Sequence, residues 1–165
     1  MSAPPEFHLS LALPSPGATA DLAARLAPLL GPGHVILLEG EIGAGKTHFA
    51  RALIQTLLAA EGRREDVPSP TFTLVQVYET VRAEVWHADL YRLTDPSEVI
   101  ELGLTDAFDS AICLVEWPDR LGELAPHEAL LLSLHAEMTG DSRTATLRAT
   151  GDRWAPVFAA LGEAA

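Results

Sequence analysis

Hydrophobic and polar positions change rhythm several times along the chain, and each change predicts an element. Phe7-His8-Leu9-Ser10-Leu11-Ala12-Leu13 alternates, as a half-buried strand does. Pro14-Ser15-Pro16-Gly17 ends it. Leu22, Leu26, Leu29 and Leu30 then keep helical spacing, with Thr19 placed to cap and Asp21 in the first turn. Pro28 should kink or end this helix near Ala27. Gly31-Pro32-Gly33 is a firm break. His34-Val35-Ile36-Leu37-Leu38-Glu39 is almost wholly apolar, the signature of a strand buried on both faces. Ala50, Leu53, Ile54, Leu57 and Leu58 return to helical spacing, which predicts a helix from Thr47 to about Ala60.

The second half of the chain alternates again. Residues 67–78 begin as a proline-stiffened loop and end as a strand rich in β-formers. Ala83–Tyr91 reads as its partner, joined through Glu79-Thr80-Val81-Arg82. On that partner His87, Asp89 and Tyr91 share one face, which either lines a site or forms the wet side of a two-stranded ribbon. Asp95-Pro96-Ser97-Glu98 opens a short helix that Gly103 closes. Ala111-Ile112-Cys113-Leu114-Val115 is a buried strand with a carboxylate, Glu116, at its tip. Residues 130–135 and 144–149 are two strands joined through 138–142, and Trp154, Val157, Phe158 and Leu161 mark a final helix with Pro156 in its first turn. The fold class is therefore α/β: one domain over residues 1–165, a mixed sheet flanked by helices, antiparallel hairpins, and looser ends at about 1–5 and 162–165.

One stretch lies between an apolar strand and a helix and fits neither rhythm: Gly40-Glu41-Ile42-Gly43-Ala44-Gly45-Lys46-Thr47. This is the phosphate-binding pattern G-x-x-x-x-G-K-[ST] in the strand–loop–helix setting it requires. Glycines let the backbone turn so that successive N–H groups face one anion-sized hollow. Lys46 supplies a compact charge beside the β- and γ-phosphates, and Thr47 a hydroxyl for magnesium. Glu116, at the end of a second buried strand, is where such proteins keep a second carboxylate near the metal.

Composition narrows the partners. The formal net charge is -12, which argues against holding nucleic acid unaided, because phosphate contacts need clustered Lys and Arg. One cysteine makes no intramolecular disulfide and fits a reducing compartment; Cys113 itself reads as a small buried hydrophobe. Residues 1–20 show no basic-then-apolar leader, and no apolar run approaches ~20 residues, so a cytoplasmic protein without a membrane span is expected. The six histidines form no zinc pattern; His87 and Asp89 lack a nearby Cys or second His at ligand spacing.

Four segments in order carry a resemblance: residues 40–47, Ser69-Pro70-Thr71-Phe72-Thr73-Leu74, His87-Ala88-Asp89-Leu90-Tyr91-Arg92-Leu93, and Ile112-Cys113-Leu114-Val115-Glu116-Trp117-Pro118. Together they resemble the bacterial TsaE (YjeE) family from about Ala18 to Arg143. The resemblance implies a P-loop ATPase that uses ATP and Mg2+ in placing threonylcarbamoyl on adenosine 37 of tRNAs reading A-starting codons. It also implies action on a TsaD–TsaB pair, with tRNA met only through those partners. Carried onto this chain, Glu41, Ile42, Gly43, Ala44, Gly45, Lys46, Thr47 and His48 wrap and bind the phosphates. Thr47, Glu116 and Asp89 attend the metal. Asp89 orients or deprotonates the attacking water, and Thr71 senses the γ-phosphate. Ser15 to Thr19 lie where the family contacts adenine. Trp117 either packs beside the metal or is plain core, and Arg143 either reaches the nucleotide or is an ordinary surface arginine. Glu41 stands where many relatives have Asp, and His48 where Thr or Ser is common; a neutral His48 ring is expected at the positive end of the helix dipole.

Three functions remain open at this level. The first is the ATPase subunit just described, slow alone and stimulated by partners because no cis arginine finger is evident. The second is a small P-loop kinase, disfavoured by the lack of an Arg-rich lid. The third is a nucleotide-gated binding module in which hydrolysis is incidental.

Overall fold

The computed structural model describes residues 3–138 and 140–163. The outermost parts of the two looser ends, and Thr139 of the predicted turn at 138–142, lie outside the described residues.

Seven strands form one mixed sheet: β1 (Glu6–Leu13), β2 (Val35–Glu39), β3 (Val75–Glu79), β4 (Glu84–Asp89), β5 (Ile112–Glu116), β6 (Leu130–Ala136) and β7 (Arg143–Thr150). Their order is β1-β7-β6-β2-β5-β4-β3. The middle of the sheet, β6-β2-β5-β4, is parallel, and antiparallel partners close both edges. The parallel part explains the near-continuous apolar runs of β2 and β5, which are covered on both faces. The outer β1 alternates from exposed to half-buried along its length, as its sequence predicts.

Among the described residues five α-helices cover the sheet: α1 (Pro16–Leu26), α2 (Lys46–Ala59), α3 (Ser97–Glu101), α4 (Leu104–Ser110) and α5 (Ala155–Glu163). On one face, Leu22 and Leu26 of α1, Phe49, Leu53 and Ile54 of α2 and Val157 and Leu161 of α5 pack on Ile36, Leu38, Leu114, Leu132 and Leu147. On the other, Val99, Leu104 and Phe108 pack on Val35, Leu37, Cys113 and Val115. Each such fully buried aliphatic side chain contributes roughly 2 kcal/mol.

Several predicted details shift. Ser15, not Thr19, caps α1: its side chain accepts the Ala18 N–H at 3.1 Å, while Thr19 is buried inside the helix. Pro16 fits the first helical position, so the helix begins one turn earlier than its leucines suggest. The strand after the Ser-Pro-Thr loop starts at Val75, because residues 70–73 form a turn closed by Leu74 N–H to Pro70 O at 2.7 Å. The helix at Asp95 begins at Ser97, whose N–H donates to the Asp95 carboxylate at 2.9 Å. A further helix, α4, follows Gly103, whose φ of 83° lets the chain reverse from one helix into the next. Finally, β4 is no ribbon edge. It pairs with β5 on its inner side, inside the sheet, and His87 and Asp89 are both buried.

Candidate functional site

The glycine loop leaves the tip of β2 and enters the N-terminus of α2. Gly40, Gly43 and Gly45 all have positive φ. At Gly40 a Cβ would collide with the Leu134 carbonyl oxygen, so the loop passes β6 too closely for any side chain. At Gly43 nothing lies within 4 Å, and that side of the loop stays open for an incoming group. The first turn of α2 has N–H groups with no intrahelical acceptor and the positive end of the dipole, an anion site by construction.

A cleft of ≈ 370 Å³ opens over this loop, lined by Ile42, Gly43, Gly45, Lys46, Thr47, His48, Thr71, Asp89, Tyr91, Glu116 and Trp117. The parallel ladder sets its floor. Asp89 and Glu116 are register partners at the tips of β4 and β5, so both carboxylates leave the sheet on one face, beside Thr47. The Thr47 hydroxyl shares its proton between Glu116 Oε1 at 2.8 Å and Oε2 at 3.0 Å. His87 Nε2 donates to Glu116 Oε2 at 2.7 Å. Asp89 Oδ2 accepts the Thr71 hydroxyl at 3.2 Å, and Oδ1 accepts the Tyr91 N–H at 3.0 Å. Ser69 and Thr71 hydroxyls meet at 2.7 Å, tying the proline loop to the carboxylate.

Lys46 bends back toward its own loop. Its ammonium donates to the carbonyls of Gly40 and Glu41 and sits 3.6 Å from the Trp117 ring centroid. Burial lowers its pKa, opposed by the charges of Glu116, Asp89 and Glu41. Trp117 and Leu74 are the two non-glycine residues in the left-handed region among the described residues. Trp117 lines the cleft directly after Glu116, and Leu74 ends the Ser-Pro-Thr loop. Strained backbone concentrates where a side chain must be aimed, here the indole over Lys46.

Beside the main cleft lies a smaller one of ≈ 200 Å³, lined by Pro16, Thr19, Gly43, Ala44, Gly45, His48, Asp141 and Arg143. Arg143 opens β7, and its guanidinium donates to Ala44 O and Gly43 O, both at 3.1 Å. It therefore braces the outside of the glycine loop. His48 Nε2 donates to Pro16 O at 2.9 Å, linking α2 to the start of α1.

Of the predicted residues, Ile42, Gly43, Gly45, Lys46, Thr47, His48, Thr71, Asp89, Glu116 and Trp117 meet in the main cleft. Thr19, Ala44 and Arg143 meet in the smaller one. Ser15 lines neither and serves as a helix cap. Glu41 lines neither; its carboxylate turns to β6, where the Ala136 N–H at 2.7 Å holds its pKa below the ordinary range. Sequence reasoning left His87 and Tyr91 undecided. The signal that finds His87 is alternation with Asp89 on a strand that has a buried neighbour; Tyr91 lies past the end of β4, in a turn.

The donor set suits a hard divalent cation. Thr47, Glu116 and Asp89 offer a hydroxyl and two carboxylates, with no thiolate. Among the described residues no three His, Cys, Asp or Glu side chains gather as a complete metal cage. A cation here would complete its shell with substrate oxygens and water, as magnesium does in phosphate sites.

A glycine loop between a central parallel strand and a helix, with a buried carboxylate on the neighbouring strand tip, defines a P-loop NTPase-like fold. The family model described as "Threonylcarbamoyl adenosine biosynthesis protein TsaE" matches residues 13–145. The chain is 36% identical to the tRNA threonylcarbamoyladenosine biosynthesis protein TsaE of Bacillus subtilis over 141 residues, 85% of each chain. It is 37% identical to the protein of that name from Rickettsia bellii over 116 residues, 70% of this chain and 78% of the relative. The crystal structure of Bacillus subtilis YdiB superposes with a TM-score of 0.78 at 29% identity, covering 97% of both chains. The chain belongs to the TsaE family.

Proposed function

We propose that this chain is the ATP-hydrolysing subunit of the cytoplasmic machinery that places threonylcarbamoyl on adenosine 37 of tRNAs reading A-starting codons, working while bound to a TsaB–TsaD pair. One observation carries the hydrolytic part: the Thr47–Glu116 and Thr71–Asp89 pairs stand together at the mouth of the glycine loop.

The chemistry would run as follows. The Gly43–Thr47 backbone and the α2 N-terminus bind the phosphates of ATP. Lys46 leaves the Gly40 carbonyl and the Trp117 face and pairs with the β- and γ-phosphates; exchanging a neutral ring and two carbonyls for phosphate oxygens favours this move. Thr47 and Glu116, with Asp89 alongside, would hold magnesium, which neutralises charge that develops on the phosphate oxygens. Asp89 accepts a hydrogen bond from the attacking water and aligns it with the γ-phosphorus, taking its proton or handing it to the phosphate. Thr71 reports the γ-phosphate to the Ser69-Pro70-Thr71 loop, which lets the loop present a different face to partners before and after hydrolysis. Among the described residues no arginine lines the main cleft, so the transition-state charge lacks one source of stabilisation that a partner can supply.

The test is phosphate release from Mg-ATP, measured with and without the TsaB–TsaD homologues. Slow release alone and faster release with the pair supports the proposal. Equal rates overturn it, and a phosphorylated acceptor other than water replaces it with a kinase.

A further inference from the structure

His87 is wholly buried in β4, two residues before Asp89 on the same face. It is held between Gln76 of β3 and Leu114 of β5 in the ladder, so its ring has no freedom to leave that face. Among the described residues its single polar contact is Nε2 to Glu116 Oε2 at 2.7 Å, and Nδ1 is buried with no partner. These two facts select a tautomer. With the proton on Nε2, the ring donates to the carboxylate and leaves Nδ1 as a bare lone pair. With the proton on Nδ1, an N–H would be buried unpaired while two acceptors faced each other, the costlier arrangement.

A buried imidazole has two ring nitrogens to satisfy. This one spends its only hydrogen bond on the carboxylate that also receives the Thr47 hydroxyl. Glu116 Oε2 thus accepts from both sides, while Oε1 meets only Thr47. The consequence is directional. Oε2 is held by His87 and Thr47 together, and Oε1, with Thr47 as its one donor, keeps a further lone pair open.

We propose that His87 is a positioning residue: by donating Nε2–H to Glu116 Oε2 it fixes the carboxylate so that Oε1 faces the cation of a bound nucleotide, and so sets the affinity of the site for that cation. This rests on the proposed Mg-nucleotide reading of the cleft. Loss of an outer partner that orients a metal-side carboxylate weakens metal affinity by about 10–100-fold.

The probe is the Mg2+ concentration that half-saturates ADP binding, read with a fluorescent ADP analogue, together with binding in EDTA. His87→Leu fills the space with no donor. His87→Gln places an amide N–H close to the position of Nε2. The expected result is a rise of about 10–100-fold in the Mg2+ half-saturation for His87→Leu, a change of no more than about threefold for His87→Gln, and equal ADP affinity of all three in EDTA. In a Glu116→Ala background, His87→Leu should add no further shift. Equal Mg2+ dependence of wild type and His87→Leu overturns the inference, as does an equal loss in both variants, which would mark a packing role. A wild-type protein whose ADP binding ignores Mg2+ overturns the underlying reading as well. Should His87→Leu fail to fold, imidazole 15N–1H correlations on the wild type decide: an Nε2-protonated ring whose Nε2–H shift moves on adding Mg-ADP supports the role, and an Nδ1-protonated ring refutes it.

Discussion

Asp89→Asn exchanges one oxygen of a carboxylate for an amide and leaves almost every contact around it possible. Oδ1 keeps the Tyr91 N–H at 3.0 Å. The new amide replaces Oδ2 opposite the Thr71 hydroxyl, now at 3.2 Å. Thr71 can accept from it and donate to Ser69, 2.7 Å away, so no buried group loses its partner. The stability change should therefore stay within about 1 kcal/mol, a few degrees in Tm for a chain of this length. Catalysis is different. An amide neither takes a proton nor attracts the water's hydrogens as a charged oxygen does. A positioned base is worth about 10²–10⁴ in rate, or roughly 3–5 kcal/mol of barrier. The assay is phosphate release at saturating Mg-ATP, run beside ADP affinity, the Mg2+ half-saturation and Tm. The expected outcome is a 10²–10⁴-fold loss of kcat with ADP affinity within about threefold. An unchanged Mg2+ half-saturation assigns Asp89 to the water; a raised one assigns it to the cation. Hydrolysis within about threefold of wild type, at unchanged Tm, would refute a role of Asp89 in the hydrolytic step.

Other outcomes follow from the same geometry. Gly40→Ala puts a Cβ into the Leu134 carbonyl at a φ of 149°, so it should lower stability by at least about 2 kcal/mol in a denaturant titration. Trp154→Ala removes a wholly buried indole whose Nε1 donates to Glu128 O at 2.6 Å, and should cost about 3–5 kcal/mol while leaving the distant cleft's ADP affinity unchanged in any variant that folds. Burial pushes the Cys113 thiol up to about 12, so a disulfide reagent at pH 8 should label it only at the rate of unfolding. The same shift has a sign in stability. The folded thiol stays protonated where the unfolded one, at 9.0, has ionised, so folding weakens as pH rises above 9. Between pH 8 and 10 wild type should lose roughly 1 kcal/mol more than Cys113→Ala.

Local chemistry was legible where it is local. The apolar runs before Gly40 and Glu116 read as buried strands because parallel strands are covered on both faces, and the P-loop pattern located the start of α2 to within a residue or two. Depth and pairing were less legible. The His87–Asp89 face could not be told from a solvent edge, because the decision lies in β5 pairing alongside, a contact between residues far apart in the chain. The α1 start was misplaced because Thr19 and Ser15 are both good caps, and only Pro16 at the first position separates them. Nothing local announces helix α4: Gly103 is a helix stop in one dimension, yet its left-handed backbone simply turns the chain into the next helix. In the cleft, residue types announced Lys46, Thr47 and Glu116. Arg143 showed no such sign, since its bonds run to the carbonyls of Gly43 and Ala44, which carry no side-chain pattern.

The proposed function makes tRNA threonylcarbamoylation depend on ATP hydrolysis by this chain. Its most direct test is to deplete the protein in its host and measure threonylcarbamoyladenosine in bulk tRNA, with wild type or Asp89→Asn resupplied. The expected outcome is a fall on depletion, recovery with wild type, and none with Asp89→Asn. A level of the modified nucleoside that stays unchanged after depletion would contradict it.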